Sequence, residues 1–147
     1  MADLEDAVRR FVADVWNSAR EESAYDLVAP GCPGLGGTGP DATIAWHRDR
    51  RATFPDLRYK IVDLVVTGDR AALRWRAVGT QAGPFGPVPP TGRVVSYSGA
   101  TFLRFDEYGR IADVWSVNEL FQLLQQLGVQ VIRPEADASE SAGQSAT

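Results

Sequence analysis

The apolar residues change period at Leu57: before it they recur at helical spacing, and after it they alternate. Leu57–Thr67 and Arg70–Gln81 read as strands separated by Gly68-Asp69, a tight hairpin signal. Val94–Asp106 reads as a long third strand, which Glu107-Tyr108-Gly109 turns into a fourth, Arg110–Ser116. Strands joined by short turns pair antiparallel, because a parallel pair needs a crossover of roughly a dozen residues. In the second strand Leu73, Trp75 and Ala77 share one face, and Arg74, Arg76 and Val78 share the other. One face of this meander therefore needs apolar cover. The connection Ala82–Arg93 holds too many prolines to pair inside a sheet. It is apolar at Phe85 and Val88, so it is expected to cover a pocket mouth or a dimer edge.

The cover comes from the N-terminal part. Leu4, Val8, Phe11, Val12, Val15 and Trp16 predict an amphipathic helix over 3–19, with Asp3 as its N-cap. A short second helix is expected over Glu22–Val28, followed by the irregular APGCPGLGGTGP. Pro40 suits the first turn of a third helix, which ends near Thr53 before Phe54-Pro55. Asn118–Leu127 is expected to be a last helix. The fold class is α+β: a cone-shaped barrel in which a curved antiparallel sheet packs against N-terminal helices and encloses a cavity. Residues 1–132 are expected to form one domain, and the small, acidic remainder, 133–147, a disordered tail.

The 147 residues are 44% hydrophobic, enough for one core without disulfides or metals. The net charge is −4 and no Arg/Lys run occurs, so neither nucleic acid nor a membrane surface is an expected partner. Arg48, Arg50 and Arg51 flank Asp49 and read as a helix surface. Cys32 is the sole cysteine, so no intramolecular disulfide can form, which fits a reducing compartment. The N-terminus lacks the basic and apolar regions of a signal peptide, and no apolar run is long enough to span a bilayer. The expected setting is the cytoplasm.

Gly34-Leu35-Gly36-Gly37-Thr38-Gly39 matches G-x-G-x-x-G, but no strand precedes it and no βαβ unit surrounds it. A flexible connection is the better reading. His47 is the only histidine. On the third helix Thr43, Trp46, Arg50 and Phe54 form a stripe with His47 at its edge, so His47 is either a structural residue or a general acid/base. One histidine and one distant cysteine cannot supply a metal site, and no cofactor is implied. Ser116-Val117-Asn118-Glu119 has the S-x-x-E pattern of a capping box, with Ser116 capping the last helix and Glu119 reaching back. Trp115 and Leu120 then fall at the hydrophobic-staple positions. Trp16, Tyr25, Trp46, Trp75 and Tyr97 are placed to be either plain core or the walls of an apolar pocket.

AWHRDRRATFPDLRYKIVDLVVTGDRAALRW, GTQAGPFGPVPPTGR and FLRFDEYGRIADVWSVNELFQLLQQLG together resemble the SnoaL-like polyketide cyclases of the nuclear-transport-factor-2-like superfamily. The resemblance runs over roughly Leu4–Val129. It implies an α+β cone with an apolar pocket and a homodimer formed through the sheet. It also implies a ring-closing aspartate at the position of Ser116, and further polar pocket residues at Gly34, Gly99 and Thr101. This chain departs from the pattern at each of those four positions, and a serine hydroxyl is a poor proton abstractor without a base beside it.

Three functions follow from these readings. The first is a cyclase acting on a hydrophobic, polyketide-like small molecule. In that case His47 or Glu119 moves a proton while Tyr97, Thr101, Ser116 or Asn118 orients a carbonyl, or the pocket merely folds a polyene for a [4+2] closure. The missing aspartate tilts the expectation toward the templated version. The second is a non-catalytic binding module. The third, an epoxide-opening enzyme, normally uses paired carboxylates, and none is evident.

Overall fold

The computed structural model describes residues 3–130 together with Ile132 and Pro134. The expected tail lies outside the described residues except for Pro134. Helix α1, Leu4–Phe11, is capped by the Asp3 carboxylate, which accepts from the Asp6 N–H at 3.1 Å. The helical run then widens into a π-helical turn over Val12–Trp16 and stops there, short of the expected residue 19. Asn17 is the reason. Its side-chain amide donates to the Tyr59 carbonyl at 2.9 Å and accepts from the Tyr59 N–H at 2.7 Å, as a neighbouring strand would. This clamp fixes Trp16 against the sheet.

A 3₁₀ turn, Glu21–Ser23, leads into α2, Ala24–Leu27. The glycine-rich segment is not wholly irregular, because β1 (Pro33–Gly34) and β2 (Gly37–Thr38) form a two-residue antiparallel ladder. Helix α3 spans Pro40–Thr53 with proline in its first turn, as the sequence predicts.

The main sheet comprises β3 (Arg58–Thr67), β4 (Arg70–Thr80), β5 (Val94–Phe105) and β6 (Ile111–Asn118), in that order and antiparallel throughout. Irregularities between Ile61 and Asp63 and between Arg104 and Phe105 bend it. The sheet curves but stays open, so the helices, and no further strand, complete the cone. Along β4 and β5 the inward positions Leu73, Trp75, Ala77, Val95, Tyr97, Thr101 and Leu103 are buried. Val8, Phe11, Val12 and Val15 cover them from one side, and Leu123 and Leu127 of α4 (Leu120–Gln126) join the same core. Truncating one such side chain to alanine typically costs about 2–5 kcal/mol.

Strand β6 continues two residues past the expected end at Ser116, which moves the start of α4 beyond Asn118. Trp115 and Leu120 are both exposed, so the anticipated staple does not form. Trp115 instead stands on the outer face of the sheet beside Phe102, ring centroids 5.5 Å apart.

The 82–93 connection is fastened down. Gln81 is fully buried, and its amide oxygen accepts from the Thr91 N–H at 3.0 Å and the Thr91 hydroxyl at 2.6 Å. Its amide nitrogen donates to the Pro89 carbonyl at 3.2 Å. The Ala82 and Gly83 N–H groups both donate to Thr53 O at the end of α3. No residue of this connection is among those lining the cavity, although its Phe85 ring lies 5.7 Å from the guanidinium of Arg50, which lines it.

Candidate active site

The cone encloses a cavity of about 330 Å³, partly open to solvent. That is toward the small end of ordinary ligand sites, roughly 300–1,000 Å³. Its wall is an aromatic cluster. Trp16 meets Tyr59 at 5.1 Å and Trp75 at 6.1 Å, both edge-on. Trp75 meets Tyr59 at 5.2 Å and Tyr97 at 5.8 Å, again edge-on. These contacts fix rigid, mostly apolar walls with the polar atoms turned to defined places.

One such place lies at the β5–β6 end. The buried Trp75 indole N–H donates to Thr101 Oγ1 at 2.9 Å, and Thr101 Oγ1 lies 2.7 Å from Ser116 Oγ. Thr101 has no solvent exposure, and its hydroxyl proton needs an acceptor. Either hydroxyl can donate in that pair. With Thr101 as the donor, the chain runs Trp75 → Thr101 → Ser116, and the Ser116 hydroxyl proton is left to point into the cavity that Ser116 lines. Each bond polarises the next, so Ser116 is a strengthened donor. Gly99 makes this possible, because an added Cβ there would fall 2.2 Å from Trp75 Cζ2.

Ser116 stands opposite Thr101 in the β-ladder and does not cap the helix. The capping box fails because β6 keeps pairing through Asn118, so the N-cap position falls on Glu119. The Glu119 N–H donates to Ser98 O at 2.9 Å, and its carboxylate accepts from the Ser98 N–H at 2.9 Å. Glu119 is spent on that clamp and is not part of the cavity lining, so it is not placed to act as acid or base there.

His47 does line the cavity, stacked on Trp16 at 5.9 Å with 26° between the rings. Burial, with Arg51 and Arg50 adding to it, pushes its imidazole down to about 3. It is therefore neutral at physiological pH and a feeble base, since useful proton transfer wants a pKa near the working pH. Burial raises Tyr59 and Tyr97 above the ordinary phenol value, so both hydroxyls keep their protons. Among the described residues no aspartate or glutamate lines the cavity. Among the described residues no group of three His, Cys, Asp or Glu side chains could hold a metal ion.

Of the other anticipated residues, Trp16, Trp75, Tyr97, Thr101 and Asn118 line the cavity, and Trp46 lines it while remaining half exposed. Tyr25 does not. It sits on an outer groove, where its hydroxyl donates to the Asp41 carboxylate, because α2 is one turn long and turns that residue outward. Cys32 is buried and its thiol is pushed up to about 11, mainly by desolvation, so it is no nucleophile.

Sequence reasoning missed Tyr59, Phe11 and Thr43 as lining residues, and above all Arg50. Only Arg48 follows the helix-surface reading, paired with Glu21 on the outside. Arg51 donates to the Leu57 carbonyl at 3.0 Å and to that of Trp16, which locks α3 to the chain entering β3. The signal for Arg50 was its place in the stripe with Thr43, Trp46 and Phe54.

A SnoaL-like polyketide cyclase family model matches residues 6–127. IdmH from Streptomyces antibioticus, a candidate polyketide cyclase, is 29% identical with a TM-score of 0.72, covering 87% of this chain and all (100%) of that one. A SnoaL-like polyketide cyclase from Agrobacterium tumefaciens is 26% identical with a TM-score of 0.76, at coverages of 87% and 100%. AclR from Streptomyces galilaeus, a candidate hydroxylase, is 26% identical with a TM-score of 0.74, at coverages of 99% and 94%. No curated protein matches the chain in sequence.

Proposed function

The chain belongs to the SnoaL-like polyketide cyclase family, and from that premise we propose that it closes a ring in an apolar, polyketide-derived intermediate, without a cofactor. One observation carries the reading: the cavity has aromatic walls, a neutral histidine and a hydroxyl donor at Ser116, and no carboxylate among the described residues lines it. Aldol-type closure needs a base to make an enolate, and no lining group serves. A [4+2] closure needs none. A diene and an alkene exchange three π bonds for two σ bonds and one π bond, no atom leaves, and no proton moves.

The walls hold the chain folded with its reacting carbons together. Supplying that conformational order in advance is worth up to about 7–11 kcal/mol of barrier in the best cases. Ser116 donates to a carbonyl conjugated with the alkene and withdraws electron density from it. The setting that fits is cytoplasmic natural-product biosynthesis, including that of antibiotics. No helix of the described residues is long and apolar enough to cross a membrane.

The same absence of acid and base favours a second reading, a non-catalytic binding module. Incubating purified protein with a linear triene bearing a conjugated enone separates the two. The cyclase forms the bicyclic product faster than buffer does, whereas a binding module returns the triene unchanged. Epoxide opening loses ground, because among the described residues no carboxylate lines the cavity to activate water.

The homodimer also fits the outer face of the sheet. Val65, Ala72, Phe102 and Trp115 stand in one row across all four strands, and Val65, Phe102 and Trp115 are each more than half exposed. A second copy laid on that row would cover it. Trp115→Glu, which places a charge there, is expected to give a monomer by sedimentation; a dimer that persists would refute this interface.

A further inference from the structure

Among the described residues that line the cavity, Arg50 alone carries a permanent charge, and no carboxylate balances it. Its guanidinium lies 5.7 Å from the centroids of both the Trp46 and the Phe85 rings. Two aromatic faces hold the planar group in place and leave its N–H edge free. Arg50 takes part in no ion pair among the described residues, although Arg48, Arg74 and Arg110 each have a carboxylate partner. It is only partly exposed. A half-desolvated cation without a counter-ion is costly unless something anionic joins it.

Resting on the cyclase reading, we propose that Arg50 anchors a carboxylate of the ligand, so that the substrate is an apolar free acid taken up head-first toward α3. Guanidinium and carboxylate match bidentately, and a site shielded from water strengthens the pair. Tyr59 and Tyr97 line the same cavity and bond to each other, Tyr59 donating, so the Tyr97 hydroxyl, which stays protonated, is the one that can donate to the same oxygens. His47 is neutral there, so it does not compete as a second cation. Tyr97 and Thr101 lie four residues apart on β5, which puts the Arg50 end and the Ser116 end roughly 13 Å apart along the strand. The anchor thus sets which part of the chain reaches the Ser116 donor.

Quenching of the cavity tryptophans measures binding of decanoic and dodecanoic acids and of their methyl esters at neutral pH. The wild type is expected to prefer each acid over its ester by roughly 10- to 100-fold. Arg50→Gln is expected to lose that preference while binding the esters as before, and Arg50→Lys to keep part of it. Equal affinity for acid and ester in the wild type, or an undiminished acid preference in Arg50→Gln, overturns the anchor and leaves the cyclase reading standing. Failure of both acid and ester to bind overturns the anchor and the apolar cavity together. Should Arg50→Gln not fold, Arg50→Lys decides, since a full acid preference there contradicts the planar pairing.

Discussion

Ser116→Ala is expected to slow ring closure by roughly 100-fold or more while leaving the fold intact. Removal of one preorganised donor from a site where charge develops typically costs about 2.7–4 kcal/mol of barrier. With Thr101 donating, Ser116 is the last hydroxyl in a chain from Trp75, so its proton is aimed into the cavity and its bond is strengthened by the two before it. The stability cost stays within about 0.5 kcal/mol, because Ser116 is exposed toward the cavity and water can take the place of its oxygen. Substrate affinity barely moves, since the aromatic walls supply most of it. The signature is thus a fall in kcat at nearly constant KM. A variant that turns over at the parent rate would remove Ser116 from the chemistry.

Gly99→Ala is expected to do comparable damage from a residue that touches no substrate. The added methyl would lie 2.2 Å from Trp75 Cζ2, 2.6 Å from Cη2 and 2.6 Å from the Val117 carbonyl. Trp75 cannot slide away, because Trp16, Tyr59 and Tyr97 enclose it. The indole has to tilt and release Thr101, and the overpacking costs about 1–3 kcal/mol of stability. Ring closure falls by about 100-fold, and Thr101→Val, which cuts the same chain, falls in parallel. Combined with Ser116→Ala, the losses do not add, because the variants interrupt one chain. Full additivity would show that Gly99 acts through stability alone.

The architecture was legible because alternation reports directly on which face of a strand is buried. Leu73, Trp75 and Ala77 face inward as their spacing requires. What stayed hidden depended on pairing across distant segments. S-x-x-E at 116–119 is a sound local signal, but the ladder opposite Gly99 and Thr101 carries β6 past Ser116, and tertiary pairing overrides the cap. Glu119 consequently bonds Ser98 across the sheet, which nothing in its neighbours announces. Tyr25 has the right chemistry for a pocket, but its one-turn helix faces it outward. Arg50 was visible in the α3 stripe yet grouped with its charged neighbours, and only the cavity separates them. Gly99 is marked by the resemblance only as a place where a polar group is missing, and its importance comes from an indole that crosses it from the next strand.

The central claim is that this cavity closes rings without moving a proton. The direct test is the single-turnover rate on the triene–enone substrate as a function of pH. Burial, with Arg51 and Arg50 adding to it, holds the His47 imidazole down to about 3, below its ordinary value of 6.5. The unfolded chain therefore binds more protons between those values, and stability falls as pH drops through that window and is fully present above it. Between about pH 6.5 and about pH 8.5 nothing lining the cavity changes charge, so the rate is predicted to be flat there. A rate that rises or falls through an ionisation in that range, and that moves or vanishes in His47→Gln, would show proton transfer and contradict the account.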